Sequence, residues 1–392
     1  MDPRRILLEL FDVAQRAANA RHEVETMLRA YGARPVAVFA VGKAASSMAL
    51  GAVESLGARL QSLFLATKDG HVDPELRRVP NATLLESAHP VPDERSLAAG
   101  AQFERRLREL PADVFPVFLV SGGSSSLVES LHEGRTLEEL RELNRRGLAA
   151  GWDIATFNAA RRQLSRLKGG GVARLLGGRE ALALFVSDVP GDDPGVIGSG
   201  LLGAAPGVAD AVARVVVANI AVTVRAVADA ARARGLELEP HVRFDADAAT
   251  VAAGFVRALR ATHADGLVWG GESTVVLPER HGRGGRNTHL ALAAARLLKA
   301  GEPLAILAAG TDGTDGPTDD AGAIVDGGTI ERAEIGGCDV ERAFADFDSG
   351  TALEAAGDLV HTGPTGTNVG DILIGLKQTA TALRGLMPPR VL

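Results

Sequence analysis

Two kinds of loop in this chain carry residues that could do chemistry. The first is acidic. Gly310-Thr311-Asp312-Gly313-Thr314-Asp315-Gly316-Pro317-Thr318-Asp319-Asp320 follows the apolar run 304–309. A packed core has no use for carboxylates spaced by glycines and threonines, because an unpaired buried carboxylate is expensive. A strand ending in such a turn suits Mg2+ and a phosphorylated ligand, and open α/β sheets place their ligands at strand ends. The spacing is not that of an EF-hand: its twelfth position, counted from Asp312, is Ala323 rather than Glu.

The second kind is glycine-rich and cationic or hydroxylic. Gly42-Lys43 joins the apolar run 36–41 to a helix-like stretch, where backbone N–H groups favour anions and Lys43 adds charge. The spacing does not fit a Walker A loop. Ser121-Gly122-Gly123-Ser124-Ser125-Ser126 follows the strand 117–120 and reads as a phosphate cradle. Gly284-Gly285-Arg286-Asn287 opens another helix, with a planar fork for carboxylate or phosphate at Arg286. Asp188 ends the strand 181–187, where a carboxylate can hold Mg2+ or orient a hydroxyl nucleophile. Asp93 is expected to cap a helix rather than catalyse, and His89 reads on its own as a loop histidine. Arg161, Arg162, Arg166 and Lys168 read mainly as a solvated face, with one or two facing an anionic ligand. Gly198-Ser199-Gly200-Leu201-Leu202-Gly203 has dinucleotide-like spacing but follows no strand and lacks the acid beyond it, so it is set aside.

The elements that must position these loops alternate in type. Strands are expected at 36–41, 62–67, 82–87, 117–120, 181–187, 214–219, 267–269, 275–277, 304–309 and 323–325. Helical periodicity covers 2–31, where Ile6, Leu7, Leu10, Val13, Ala14 and Ala17 share a face, and recurs at 156–167, 220–234, 246–260 and 286–298. Short helical segments run to 356, and 372–386 is read as a helix packing back on the first domain. Gly235-Leu236-Glu237 reads as a domain boundary, giving domains 1–235 and 236–392.

Composition narrows the classes. With 392 residues, 46% of them apolar, the chain can bury two cores, and 4% aromatic content makes them mostly Ala, Val and Leu. The net charge of -7 and the lack of a dense basic run argue against nucleic acid. One cysteine, Cys338, excludes an internal disulfide and reads as buried filler. Neither a signal peptide nor a membrane span is visible, so a cytoplasmic protein is expected.

The loops together resemble the glycerate 2-kinase family, whose second half is called the MOFRL domain and whose members also carry hydroxypyruvate reductase names. The stretches that carry the resemblance are Val41-Gly42-Lys43-Ala44-Ala45, His89-Pro90-Val91-Pro92-Asp93, Ser121-Gly122-Gly123, Leu164-Ser165 with Lys168-Gly169-Gly170, Ser187 to Pro194, Gly270-Gly271-Glu272-Ser273-Thr274, Gly284-Gly285-Arg286-Asn287, Asp312-Gly313-Thr314-Asp315-Gly316 and Thr362-Gly363-Pro364-Thr365-Gly366-Thr367-Asn368. They span nearly the whole chain in the family's order.

The resemblance implies ATP-dependent phosphorylation of D-glycerate at the 2-hydroxyl, with Mg2+, giving 2-phosphoglycerate. It implies an α/β protein of two domains: a larger Rossmann-like N-terminal domain with a mainly parallel sheet, and a smaller α/β MOFRL domain, with the site in the cleft. Lys43 and Arg286 carry over as active-site cations, with Asp188 the third catalytic candidate. The expected phosphate cradle comprises Gly42, Ser121, Gly122, Gly123, Ser124, Ser125, Lys168, Thr365, Gly366 and Asn368. Glycerate is expected at Lys43, Arg286, His89, Glu272 and Asn287, and metal at Asp188, Asp312 and Asp315. The chain departs from the family pattern at Ser124, Thr288-His289 and Thr311. A monomer or homodimer is expected. Two other readings stay open: a nicotinamide-dependent hydroxypyruvate or tartronate semialdehyde reductase, and a non-catalytic nucleotide-binding protein.

Overall fold

The computed structural model describes residues 2–378 except 33, 153, 190 and 279. Its described residues divide into two compact units, one of residues 19–219 and 366–369, the other of 2–18, 220–365 and 370–378.

The first unit is built on six strands: β1 (Val36–Val41), β2 (Leu60–Lys68), β3 (Ala82–Ser87), β4 (Phe115–Val120), β5 (Ala181–Val186) and β6 (Val212–Ala218). They lie in the order β3-β2-β1-β4-β5-β6 and every neighbouring pair is parallel. β1, β4 and β5 are buried at every position, which is why they read as continuous apolar runs and not as alternating ones. Aromatic contacts fix their spacing: Phe39 stacks on Phe118 at 5.3 Å and meets Phe103 edge-on at 5.2 Å. The strand order reverses between β1 and β4, and Val41 pairs with Val120. The turns after these two strands therefore emerge side by side at the topological switch point, where open sheets bind ligands.

The second unit carries a mixed sheet of β7 (Leu238–Asp247), β8 (Gly266–Thr274), β9 (Leu304–Gly310), β10 (Gly322–Asp326), β11 (Leu359–Val360) and β12 (Asp371–Lys377), in the order β11-β10-β9-β12-β8-β7. Its two faces are sorted by the two-residue alternation of a strand. Ala305, Leu307, Ala309, Ile372 and Ile374 face one core; Leu304, Ile306, Ala308 and Leu373 face the other.

This arrangement corrects three expectations. The helices Pro3–Ala18 and Ile220–Ala233 belong to the second unit, not to a domain 1–235. Their Ile6, Leu7, Leu10, Val224 and Val227 cover the face that holds Leu307 and Ile374, which among the described residues no other helix of that unit covers. The stretch 372–386 does not begin as a helix: β12 runs down the sheet between β9 and β8, and residues 379–392 lie outside the described ones. A strand buried on both faces has the same apolar run as a buried helix. Finally, β8 is one strand through Gly270-Gly271, and 275–277 is not a strand. A side chain at Gly270 would strike Val224, and one at Gly271 would strike the Phe244 backbone, so both glycines serve close packing.

Candidate active site

At the switch point the two turns lock together. The Lys43 N–H donates to the Gly122 carbonyl at 2.9 Å, and the Ala44 N–H donates to Ser121 Oγ at 3.0 Å. Gly42, at φ 129°, has no room for a side chain against Ser121. Gly123 sits at φ 81°; a Cβ there would lie 3.1 Å from His89 Nε2 and 3.2 Å from Lys43 Cγ. A Cβ on Gly122 would overlap the Asp188 carboxylate and reach within 2.6 Å of Asn368 Nδ2. The Asn368 amide donates to Asp188 Oδ2 at 3.1 Å. The structure thus gathers Lys43, His89, Gly122, Gly123, Asp188 and Asn368, and Gly366 adjoins Ser47 on the same unit. A bare glycine backbone flanked by a lysine and a carboxylate can bind a polyanion and place a hydroxyl beside it.

Other expected members of this cradle are turned elsewhere. Ser121 and Ser124 are fully buried: Ser121 Oγ accepts from the Ala44 backbone, and Ser124 Oγ is packed against Gly198. The Ser121 hydroxyl holds the turn, while Ser124 Oγ is buried without a hydrogen-bond partner among the described residues. Ser125 is half-buried, and its Oγ accepts from Arg161 Nη1 at 3.2 Å. Lys168 contradicts its expected role. Its ammonium is wholly buried and paired with the equally buried Glu129, whose other oxygen accepts from Ser165. Burial pulls the Lys168 ammonium down, against the attraction of Glu129. A lysine with no exposed surface and a buried counterion reaches no phosphate.

In the second unit, Gly284-Gly285 leads into the helix Arg286–Leu297. Asp315 caps this helix from a distant loop. Its Oδ1 accepts from the Asn287 N–H at 2.9 Å, and its Oδ2 from the Thr288 N–H at 2.7 Å and Thr288 Oγ1 at 2.8 Å. Burial pushes the Asp315 carboxyl up, while these donors pull it down. With both oxygens engaged by a helix start, Asp315 does not fit a metal ligand, and that expectation is corrected. Asp312 is half-buried and its Oδ1 accepts from the Thr314 N–H at 3.2 Å. Thr365 braces the same turn: its Oγ1 donates to the Thr311 carbonyl at 2.6 Å, so its hydroxyl is committed to the loop.

Arg286 lies in the first turn of the capped helix. Its Nε and Nη2 meet the two Asp371 oxygens at 2.8 and 2.9 Å, and its Nη1 is paired with Glu272. Asn287 Nδ2 donates to the same Asp371 at 3.1 Å. Asp371 is fully buried and burial pushes its carboxyl up to about 6, opposed first by Arg286, whose own guanidinium is held above its ordinary value. Asp371 was missed in the sequence. It begins an apolar run that reads as a helix, and it lies 85 residues from Arg286. Thr288 and His289, which depart from the family pattern, are both internal. Thr288 completes the cap, and His289 lies between the Phe344 and Phe347 rings at 4.5 and 4.6 Å.

Among the described residues no group of three His, Cys, Asp or Glu side chains is arranged to hold a metal ion. Mg2+ at a phosphoryl-transfer site needs only one or two protein carboxylates, the rest coming from phosphate and water. Asp188 in the first unit and Asp312 in the second are each half-buried and each compatible with that demand taken singly; Asp315 is not.

Comparison with known proteins now adds to the geometry. Residues 2–233 match a family described as a domain of unknown function, DUF4147, and residues 266–371 match the MOFRL family. A D-glycerate 2-kinase from Thermotoga maritima is 35% identical, covering 87% of this chain and 90% of its own length. A relative from Agrobacterium vitis, also 35% identical over 94% of this chain and 93% of its own, is named only provisionally as a hydroxypyruvate reductase. The crystal structure of a Thermotoga maritima glycerate kinase superposes with a TM-score of 0.84 at 32% identity, covering 95% of this chain and 99% of that one. Among the described residues no helix is long and apolar enough to cross a membrane.

Proposed function

The chain belongs to the glycerate 2-kinase family, and from that membership we propose that it transfers the γ-phosphoryl group of ATP to the 2-hydroxyl of D-glycerate, with Mg2+, giving 2-phosphoglycerate. The observation that carries this reading is the meeting of Lys43, Asp188 and the bare Gly122-Gly123 backbone at the switch point. Phosphoryl transfer asks a protein for positioning and charge neutralisation more than for covalent chemistry.

The residues divide that work. Gly122, Gly123 and Gly366 let phosphate approach the backbone closely, and Ser125 and Asn368 offer side-chain donors beside it. Lys43 neutralises charge on the transferring group. Asp188, oriented by Asn368, accepts the proton of the attacking hydroxyl or holds metal. When bound, Mg2+ supplies charge compensation to the phosphates, and in the first unit the half-buried Asp188 is the carboxylate suited to hold it. Arg286 binds the glycerate carboxylate: Asp371 fixes its fork from the buried side, and the carboxylate takes the place of Glu272, whose side chain is 49% exposed. Asn287, buried and bonded to Asp371, braces that fork from behind, and His89 stands beside Lys43 and Gly123 in the first unit.

The test is turnover of purified protein with D-glycerate, ATP and Mg2+, read by phosphorus NMR, beside hydroxypyruvate with NADH or NADPH. 2-Phosphoglycerate without nicotinamide oxidation is the expected result. 3-Phosphoglycerate would overturn the regiochemistry, and nicotinamide oxidation without phosphoryl transfer would overturn the class.

A further inference from the structure

Behind the serine turn two buried cations, Arg161 and Lys168, lie about one buried anion, Glu129. Arg161, on the helix Ile154–Arg162, is 9% exposed. Its Nε and Nη2 both donate to the side-chain carbonyl of Asn144, its Nη1 donates to Ser125 Oγ at 3.2 Å, and its Cζ lies 3.8 Å above the Phe157 ring. Among the described residues none of these partners is a carboxylate. The negative charge that acts on Arg161 is that of Glu129, and Glu129 is already paired with Lys168 and bonded by Ser165. Two buried cations thus share one buried anion. Burial pulls the Arg161 guanidinium down to about 10, where it is still protonated at neutral pH.

An uncompensated buried cation is unfavourable, and a core built for stability alone would place an apolar side chain there. The Arg161–Ser125 bond suggests what the charge is kept for. A hydroxyl that accepts from a guanidinium has its own proton left to donate, and its rotor is no longer free. Ser125 is half-buried and two residues beyond Gly123, which Lys43 and His89 flank.

We propose that Arg161 is a positioning residue for the nucleotide: it holds Ser125 Oγ as an acceptor so that the Ser125 proton is given to a phosphate oxygen, and the bound polyanion balances the charge that Glu129 leaves over. This rests on the kinase reading above and names a residue that the reading does not use.

Arg161→Met, Arg161→Lys and Ser125→Ala separate this from a packing role. Arg161→Met is expected to keep or raise the melting temperature while raising KM for MgATP roughly ten- to hundredfold. KM for D-glycerate is expected to stay unchanged. Arg161→Lys restores part of the loss, Ser125→Ala raises the same KM, and the double variant adds little to either. A lowered melting temperature with an unaltered KM for MgATP overturns the proposal and makes Arg161 structural. Calorimetric titration of MgATP into the unaltered protein without glycerate keeps the two readings apart. Binding that Arg161→Met leaves unweakened sinks only the role of Arg161, whereas no binding to the unaltered protein sinks the kinase reading with it.

Discussion

Asp371 grips Arg286 with both oxygens, at 2.8 and 2.9 Å, from a fully buried position at the start of β12. The grip fixes the plane and direction of the guanidinium, and the third nitrogen turns outward to Glu272. It also makes Arg286 sensitive to one proton. Burial raises the Asp371 carboxyl to about 6. As pH falls through that value the carboxylate is lost and the fork is released, so KM for D-glycerate is expected to rise below about pH 6 with KM for ATP less affected. Asp371→Asn should show the raised KM at every pH and flatten the profile. The stability linkage runs the other way. A carboxyl raised in the folded state favours folding below its unfolded value near 4, and that contribution disappears as pH rises through about 6.

Lys43→Met should leave the fold intact, since the turn is held by backbone bonds of residues 43 and 44. kcat is expected to fall on the order of a hundred- to a thousandfold, the loss seen when one charge-stabilising donor is removed. Near-normal kcat with unchanged melting would take Lys43 out of the mechanism.

Asp315→Ala separates a cap from a metal ligand. Removing the carboxylate leaves the Asn287 and Thr288 N–H groups buried without partners, so stability should drop by about 2 kcal/mol or more. kcat should fall with it, because Arg286 occupies the first turn of that helix. The Mg2+ concentration giving half-maximal activity should not move. A large shift in that concentration at unchanged stability would restore Asp315 as a ligand.

His289 gives a second pH signature. Burial between two phenylalanine rings holds its imidazole below the ordinary value. The unfolded chain takes up the proton near 6.5 while the folded one resists it, so this contribution is full above that pH and is lost as pH falls below it. His289→Leu should remove that part of the acid-side decline in melting temperature; an unchanged decline would show that other groups cause it.

The turns that meet at the switch point are legible in the sequence because their composition has no structural use elsewhere. Glycine beside lysine after an apolar run announced Lys43, and Ser121-Gly122-Gly123 announced its neighbour. What could not be read was commitment. Nothing local distinguishes Lys168 from a solvated lysine until Glu129, 39 residues away, is folded against it. Asp315 looked like a ligand because its partners, the N–H groups of residues 287 and 288, are invisible in a sequence. β12 was read as a helix because a strand buried on both faces loses its two-residue signature, and with it went the partner of Arg286.

The chain passes between its two units at 18–19, 219–220, 365–366 and 369–370. Neither unit is therefore encoded by one uninterrupted piece of gene. A fragment ending at the glycine near 235 would carry off two helices that shield the mixed sheet and leave Asn368 behind. A single crossover therefore cannot exchange one whole unit and leave the other untouched.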